Sequence, residues 1–360
     1  MSRDSKNCLQ PNAIAIENNK IYFVDRLSSQ IIIVRIADKK IDCCINLPEK
    51  ATFDDESKPL LYIHKGNIIF IKNTDSSIYV WDDSTALWDK YDLFKKRREG
   101  FYLFSHARVI DDYFYIFPFT EGHLLIFDLN QKKVVLSSNI FTILRKHFAY
   151  DFMSINEPSW IDNEHISGCI SANNAIFIMN LMKQDIQYHY FKEEGCVIST
   201  VATAGNSLIL CDKGRHLLLR VNKKNFEIEK EYEYGEKRAR VISINHVTIV
   251  MEIIDSDEFC IFDDKLDLIY KNEESLVNND KTIDTSGITI YGDNVGYYYN
   301  RISKRLYSID TGGNVKENNI LRELELPSVC KEKMDIGGNI FKENVLFGIE
   351  GFTNIVSSIN

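Results

Sequence analysis

A hairpin-like pattern recurs along the whole of this chain, and it is the feature that most constrains the fold. Residues 123–137, HLLIFDLNQKKVVLS, are two alternating apolar runs around a polar turn, which is the pattern of a β-hairpin. Related stretches follow the same plan, among them SIYVWDDSTALWDKY, LLLRVNKKNFEIEKEY and RLYSIDTGGNVKE. Such recurrence predicts a repeat architecture in which each unit is one small group of strands.

An Asp or Asn ends the first strand of each hairpin and sets the period of the repeat. Its side chain can accept a hydrogen bond from the backbone two residues on, and it tolerates the dihedral angles of tight turns. Successive positions lie 44, 46, 52, 42, 41 and 47 residues apart. The seven turn residues are Asp38, Asp82, Asp128, Asn180, Asn222, Asp263 and Asp310.

Another pair of short strands precedes each hairpin. In the first unit AIAI (13–16) turns into IYFV (21–24), and in the second LLYI turns into IIFI (68–71). The fourth unit is less regular, because only HISGCIS (165–171) is visible before its hairpin. Four short strands in about 45 residues are typical of a propeller blade. The fold class is therefore predicted as all-β, a seven-bladed β-propeller of four-stranded antiparallel blades, whose inner strands we expect to be the most uniformly apolar.

We predict a single β-propeller domain over residues 1–360. A C-terminal segment at 334–360 closes it, and the blades lie at about 12–47, 59–93, 102–138, 148–192, 196–233, 238–272 and 284–318.

Two segments have the spacing of amphipathic helices instead. Ile140, Ile143, Leu144 and His147 predict a short helix within 139–148, in the insertion that lengthens blade four. The same spacing near the end of the chain predicts a C-terminal helix over 350–359. Little other helix is expected.

Composition excludes several classes of function. The chain is 44% hydrophobic and 26% charged, as in soluble globular proteins, and its apolar runs are far shorter than a membrane span. A net charge of -9 argues against a large nucleic-acid interface, which needs clustered Lys and Arg. The polar start, MSRDSKNCLQPN, lacks an apolar signal core, so we expect a cytoplasmic protein that contacts no membrane.

The eight cysteines form no C-x-x-C pair, which argues against a zinc or thioredoxin-like site. Several lie in apolar runs, where a thiol behaves as a small buried hydrophobe, so we expect reduced thiols. We predict neither a metal nor a cofactor. His64, His106, His165 and His246 fall near inner or second strands, and structural roles are the default interpretation of all four.

Two glycine pairs, Gly312–Gly313 and Gly337–Gly338, and one Trp-Asp dipeptide, Trp81–Asp82, are the motifs to compare with known propellers. With its seven four-stranded units the chain resembles the kelch-like class of β-propellers over nearly its full length. The resemblance is one of architecture, because that class places Gly-Gly after the second strand of each blade, and neither pair here matches. It implies the propeller fold and transfers no functional residue.

No catalytic motif stands out. The sequence lacks G-x-S-x-G, H-E-x-x-H, a Walker loop, a helix-opening G-x-G-x-x-G and the Asp-box of sialidase-type propellers. We therefore favour a non-catalytic binding or protein-interaction module over an enzyme. The alternatives are an enzyme with a site in the central funnel, acting on a carbohydrate or another small polar or anionic substrate, and an accessory protein for another enzyme.

The candidate ligand-binding residues lie at the inner strands. Blade three begins FSHARVI and blade six EKRARVISI, which place His106 and Arg108, and then Arg238 and Arg240, around one predicted funnel. Arginine suits carboxylate and phosphate because its donors form a fork. Trp160 lies in the aromatic insertion of blade four and is the fifth candidate. The partner is expected to be another protein or a small polar or anionic ligand, unless these arginines pair with acids between blades.

Overall fold

The chain forms seven four-stranded antiparallel sheets, and within each sheet the strands follow one another in sequence order. This is the seven-bladed β-propeller that the repeat predicts, almost all-β and with very little helix. The computed structural model describes residues 11–25, 28–48, 59–72, 77–93, 104–118, 123–148, 156–170, 173–254, 256–272, 287–292 and 294–323.

The chain divides into two compact units, Met1–Asp54 with Ile320–Asn360, and Asp55–Asn319. The first unit holds blade one and a four-residue helix, Ile320–Glu323. The strands of blade one are β1 (Pro11–Glu17), β2 (Lys20–Asp25), β3 (Gln30–Arg35) and β4 (Lys40–Asn46). The predicted single domain over 1–360 stays a prediction.

The second unit holds the other six blades. Blade two consists of β5 (Leu60–His64), β6 (Asn67–Lys72), β7 (Ser77–Asp82) and β8 (Leu87–Asp92). Blade three consists of β9 (Phe104–Ile110), β10 (Tyr113–Pro118), β11 (His123–Asp128) and β12 (Lys133–Asn139). Blade four consists of β13 (Asn156–Trp160), β14 (His165–Ile170), β15 (Ala175–Asn180) and β16 (Ile186–Tyr190). Blade five consists of β17 (Ile198–Ala204), β18 (Ser207–Asp212), β19 (Leu217–Asn222) and β20 (Ile228–Glu233). Blade six consists of β21 (Ala239–Ser243), β22 (Thr248–Ile253), β23 (Phe259–Asp263) and β24 (Leu268–Lys271). Blade seven consists of β25 (Ile288–Ile290), β26 (Val295–Asn300), β27 (Arg305–Asp310) and β28 (Val315–Asn318).

The repeated Asp or Asn residues do what the sequence predicts. Asp82 ends β7, and its Oδ1 accepts a hydrogen bond from the backbone N–H of Ser84 at 2.8 Å. Asn180 ends β15 and accepts from Met182 N–H at 3.0 Å in the same way. The equivalent bond is present in all seven blades. A local side-chain bond therefore forms the turn before the outer strand of every blade.

A short helix, α1, is present where the spacing predicts one. It spans Ile140–Leu144, and Asn139 caps it by accepting a hydrogen bond from the N–H of Thr142. The predicted C-terminal helix at 350–359 lies outside the described residues.

Blade four differs from the sequence interpretation at its first strand. Trp160, which the sequence places in the aromatic insertion of blade four, is the last residue of β13. The sequence of this strand, NEPSW, lacks the alternation of apolar and polar residues that predicts a strand. Pro158 cannot donate a ladder hydrogen bond, and the register shifts between Asn156 and Ser159.

The prediction that the inner strands are the most apolar is wrong. The second and third strands are the most buried, as in β18 and β22, where all six residues of each are buried. The first strand β25 has no fully buried residue. Middle strands have a hydrogen-bonded strand on each edge and apolar side chains on both faces, whereas a first strand has one free edge.

Apolar and aromatic side chains hold neighbouring blades of the second unit together. Between blades six and seven, the ring centroid of Phe259 lies 4.8 Å from those of Tyr298 and Tyr307, and all three residues are buried. The backbones also approach closely there, since a Cβ on Gly296 would lie 2.1 Å from the carbonyl oxygen of Ile244. Glycine is therefore required at this point of β26.

In the described part of the chain, no helix is long and apolar enough to cross a bilayer.

Candidate functional site

The first strands of several blades converge in the second unit. β17 packs against β13 on one side and β21 on the other, and β9 packs against β13. These are the inner strands of blades three to six. Their side chains therefore meet along one axis, as expected for a propeller.

Hydroxyl groups join three of these strands. The backbone N–H of Thr203 in β17 lies 3.0 Å from Ser159 Oγ and 2.7 Å from Ser243 Oγ. The hydroxyl of Ser243 donates to the carbonyl oxygen of Thr203 at 2.8 Å. This network fixes the relative positions of the inner strands of blades four, five and six.

Arg108 lies beside this network, in β9 of blade three. Its guanidinium carbon is 4.6 Å from the ring centroid of Tyr291 and 5.8 Å from that of Trp160. Both distances are in the range of cation–π contacts. Arg108 is half-buried, and among the described residues no carboxylate or hydrogen-bond acceptor engages its guanidinium. Within the described part of the chain, the contacts of this guanidinium are therefore with aromatic rings.

Trp160 forms the buried wall of the cluster. It is 7% exposed, and its ring packs edge-to-face with those of Tyr115 and Phe117, at 5.5 and 6.1 Å between centroids. Its indole N–H is buried and has no acceptor among the described residues. A buried donor without a partner is costly, so a ligand acceptor that reached it would gain a strong hydrogen bond.

Tyr291 connects the cluster to a histidine. It follows β25 in blade seven, and its hydroxyl lies 2.9 Å from Nδ1 of His246, in the turn between β21 and β22. The imidazole of His246 is exposed, and its backbone carbonyl accepts a hydrogen bond from the N–H of Gly205 at 2.6 Å. Arg108, Trp160, Tyr291 and His246 are called the Arg108 cluster below.

Arg240 has a different environment. Its guanidinium pairs with the buried carboxylate of Glu252 and donates to the carbonyl oxygen of Gly287 at 3.3 Å. Glu252 Oε2 also accepts from the N–H of Gly287 at 3.1 Å and from the hydroxyl of Tyr298 at 3.2 Å. Burial, and then the charge of Glu252, raises the pKa of Tyr298 well above its usual value. This network ties blade six to blade seven.

Register places Arg108 and Arg240 at different heights along the inner strands. In the ladder between β9 and β10, Arg108 lies opposite Tyr115, which is seven residues later in the chain. In the ladder between β21 and β22, Arg240 lies opposite Glu252, which is twelve residues later. Arg240 also lies three residues before Ser243 in β21, or about 10 Å along the strand from the hydroxyl network. The structure places Trp160 against Arg108, and it does not bring Arg240 into that cluster.

The other two predicted site residues lie elsewhere or are only partly described. Arg238 is exposed and precedes β21, and its carbonyl oxygen accepts a hydrogen bond from the N–H of Ile254 at 2.8 Å. His106 pairs with Phe117 in the ladder between β9 and β10, and its side chain lies outside the described residues. A ligand-binding role for the five predicted residues stays a prediction.

Tyr291 was not among the predicted site residues. The only sequence signal was its position at the end of the first strand of blade seven, in ITIY. Two of the other predicted histidines contact acids: His64 lies 3.3 Å from Asp112, and His165 lies 2.9 Å from Asp162. Within the described ranges no three His, Cys, Asp or Glu side chains are arranged to hold a metal ion.

No protein-family model matches the sequence, and no curated protein is similar to it. Solved structures with the same fold exist. A catalytically inactive virginiamycin B lyase from Staphylococcus aureus with quinupristin superposes with a TM-score of 0.58 at 10% identity, covering 86% of this chain and 97% of that one. Hsv2 from Kluyveromyces lactis superposes with a TM-score of 0.54 at 9% identity, covering 86% and 98%.

PorZ, a surface component of the type-IX secretion system of Porphyromonas gingivalis, has a TM-score of 0.53 at 9% identity. That match covers 87% of this chain and 38% of PorZ. At such identities the likeness shows the fold alone. The fold therefore has neighbours that include an enzyme and a component of a protein assembly, and it does not decide between them.

Proposed function

We propose that this protein is a binding module whose ligand is a small anion, with a carboxylate or phosphate group held by Arg108. One observation carries the proposal: the guanidinium of Arg108 is half-buried against two aromatic rings, and no acid among the described residues engages it. Stacked arginine presents its fork of donors in a fixed plane, which suits the two oxygens of such a group.

The surroundings of Arg108 support an anion over a neutral ligand. The buried indole N–H of Trp160 needs an acceptor, and the imidazole of His246 lies 2.9 Å from the Tyr291 hydroxyl at the exposed side of the cluster. The chain as a whole has a net charge of -9, so the arginine and indole donors at its inner strands contrast with its overall negative charge.

Isothermal titration calorimetry tests the proposal, with inorganic phosphate and citrate as probes in a buffer free of both. The wild type should bind at least one of them. Arg108→Ala should weaken that binding about 10- to 150-fold, the equivalent of one hydrogen bond to a charged group. The affinity of Arg108→Lys should lie between those of the wild type and Arg108→Ala, because lysine keeps the positive charge and lacks the planar fork of donors.

Arg145→Ala is the matched control, since Arg145 is an exposed arginine directly after α1. It should bind the probe as the wild type does. The proposal fails if the wild type binds neither probe, or if Arg108→Ala binds as tightly as the wild type.

Catalysis at the same cluster is the second candidate, and the contact between His246 and Tyr291 favours it. A phenol bonded to an imidazole can donate or accept a proton beside a bound anion. Any ligand identified by calorimetry should then be converted to a product seen by mass spectrometry. Tyr291→Phe should keep its binding and lose its conversion, whereas a module that only binds returns the ligand unchanged.

Three further parts of the proposal rest on the sequence. They are the kelch-like relationship, the cytoplasmic location and the alternative of a protein partner. Fractionation of cells that produce the protein tests the second, and affinity capture compared between the wild type and Arg108→Ala tests the third.

A further inference from the structure

Lys223 differs in its contacts from the paired lysines of the same unit. It lies in the turn between β19 and β20 of blade five and is half-buried. Its ammonium group donates to the carbonyl oxygen of Gly205 at 2.6 Å, and within the described ranges no carboxylate forms an ion pair with it. By contrast Lys230 in β20 pairs with Asp267 at 2.6 Å, and Lys132 pairs with Asp89 at 2.9 Å.

Two acids and one imidazole surround this position. Asp162, in the turn after β13, is the charge that acts on Lys223, but its carboxylate is bonded to the ring and backbone of His165. Asp264 borders Gly205 closely, because a Cβ there would lie 2.6 Å from Asp264 Oδ2. His246 belongs to the neighbouring turn, whose carbonyl accepts from Gly205 N–H. None of them provides Lys223 with a direct ion pair.

Burial without an ion pair favours the neutral amine. Desolvation lowers the pKa of Lys223 to about 8, and the charge of Asp162 opposes this shift only in part. A neutral amine has a lone pair and can act as a nucleophile near physiological pH.

We propose that Lys223 is a reactive amine that forms an imine with small aldehydes. The lone pair of the neutral amine forms a bond to the carbonyl carbon, and one amine hydrogen moves to the carbonyl oxygen to give a carbinolamine. The carbinolamine hydroxyl then takes a proton from solvent and leaves as water, while the second amine hydrogen stays on the nitrogen. The protonated imine keeps one N–H and a positive charge. It can therefore still donate to Gly205 and still face Asp162.

The same surroundings disfavour the obvious competing modification. A carbamate formed with carbon dioxide would place a negative charge on this side chain, within the electrostatic influence of Asp162 and near Gly205, which Asp264 borders. Like charges at such range are destabilising. The inference stands apart from the anion site, since it uses neither Arg108 nor Trp160.

Reductive methylation with formaldehyde and cyanoborohydride tests the proposal on the whole protein at pH 7. Peptide mass spectrometry follows the fraction of Lys223 and Lys230 modified over time. Lys223 should react at least tenfold faster, because its amine is neutral in a far larger fraction of molecules. The proposal is overturned if Lys223 reacts no faster than Lys230, whether from protonation or from shielding.

Asp162→Asn gives a second readout that leaves the lysine in place. Asparagine keeps the side-chain oxygen that accepts from the backbone N–H groups of Glu164 and His165. Without the opposing charge the pKa of Lys223 should fall further, so its modification at pH 7 should become faster. An unchanged or slower rate in this variant contradicts the electrostatic basis of the proposal.

Discussion

The hydroxyl oxygens of Ser159 and Ser243 lie 3.0 Å apart, although 84 residues separate them in the chain. Ser159 belongs to blade four and Ser243 to blade six, and both hydroxyls contact the backbone of Thr203 in blade five between them. The inner strands are thus joined by side-chain bonds to a backbone rather than by a β-ladder. This arrangement makes their spacing sensitive to single hydroxyl groups.

Ser243→Ala should lower the free energy of unfolding by about 1–3 kcal/mol, because it removes the hydroxyl that both donates to and accepts from Thr203. Urea denaturation followed by tryptophan fluorescence measures the change. Ser308→Ala is the control, since the Ser308 hydroxyl has, among the described residues, one long and exposed bond of 3.4 Å to the carbonyl of Lys316. Equal losses in the two variants would contradict a special role for the network.

Arg240 and Glu252 should behave as a coupled buried pair. Arg240→Met or Glu252→Gln alone should cost about 3–5 kcal/mol of stability, because each leaves a buried charge without its partner. The double variant Arg240→Met/Glu252→Gln should cost less than the sum of these two single replacements. A double-mutant cycle compares the free energies of unfolding of these variants, measured by urea denaturation. Strictly additive losses of stability would show that the ion pair does not stabilise the contact between blades six and seven.

Asp212 should contribute to acid sensitivity. Burial raises the pKa of this carboxyl, but hydrogen bonds from the N–H of Val197 and the guanidinium of Arg215 outweigh it, and the pKa lies below its usual value. The stabilisation is therefore complete above the unfolded pKa of about 4 and is lost as the pH falls through the lower folded value.

Wild-type stability should accordingly fall between pH 5 and pH 3. Asp212→Asn should be less stable at pH 5 by about 1.5–3 kcal/mol and should lose less on acidification. Urea denaturation at the two pH values decides the matter. Parallel losses in the two proteins would assign the acid sensitivity to other groups.

The thiols should differ widely in reactivity at pH 8. Burial, followed by contact with Asp212, raises the pKa of Cys196 to about 12, and burial raises that of Cys260 to about 11. Cys43 lies exposed on the outer strand of blade one. A disulfide reagent should thus modify Cys43 before Cys196 and Cys260, which should react only on unfolding, as the thiolate is the reactive form.

Denatured protein prepared without reductant should titrate close to all eight thiols. A shortfall of two or more would indicate a disulfide. It would also contradict the expected cytoplasmic location, because disulfides persist in oxidising compartments.

Local chemistry explains why the blades were predictable. Asp82 and Asn180 form their turns through bonds to the backbone two residues on, so a short stretch of sequence carries the whole signal. The first strand of blade four was missed for the opposite reason. Its pairing depends on tertiary contacts of Ser159 and Trp160, and Pro158 weakens the local pattern.

The candidate site was only partly predictable. Alternation indicated that Arg108 lies on an inner strand, but its contact with Tyr291 joins residues 183 positions apart and depends on how the blades are arranged. Pairing of the arginines with acids was an open alternative, and Arg240 with Glu252 is such a pair. Arg108 and Arg240 carry the same charge but contact different side chains, and the composition of the sequence does not show which.

The bond between Ser159 and Ser243 also has a consequence for synthesis on the ribosome. Each turn bond spans a few residues and can form as soon as its own hairpin leaves the exit tunnel, and local contacts form fast. The Ser159–Ser243 bond must wait until the first strand of blade six has been translated. Until then a nascent chain can hold complete blades four and five, with Thr203 bonded to Ser159, before either inner strand is bonded to that of blade six. The relative positions of these three inner strands are therefore fixed only after Ser243 has been translated.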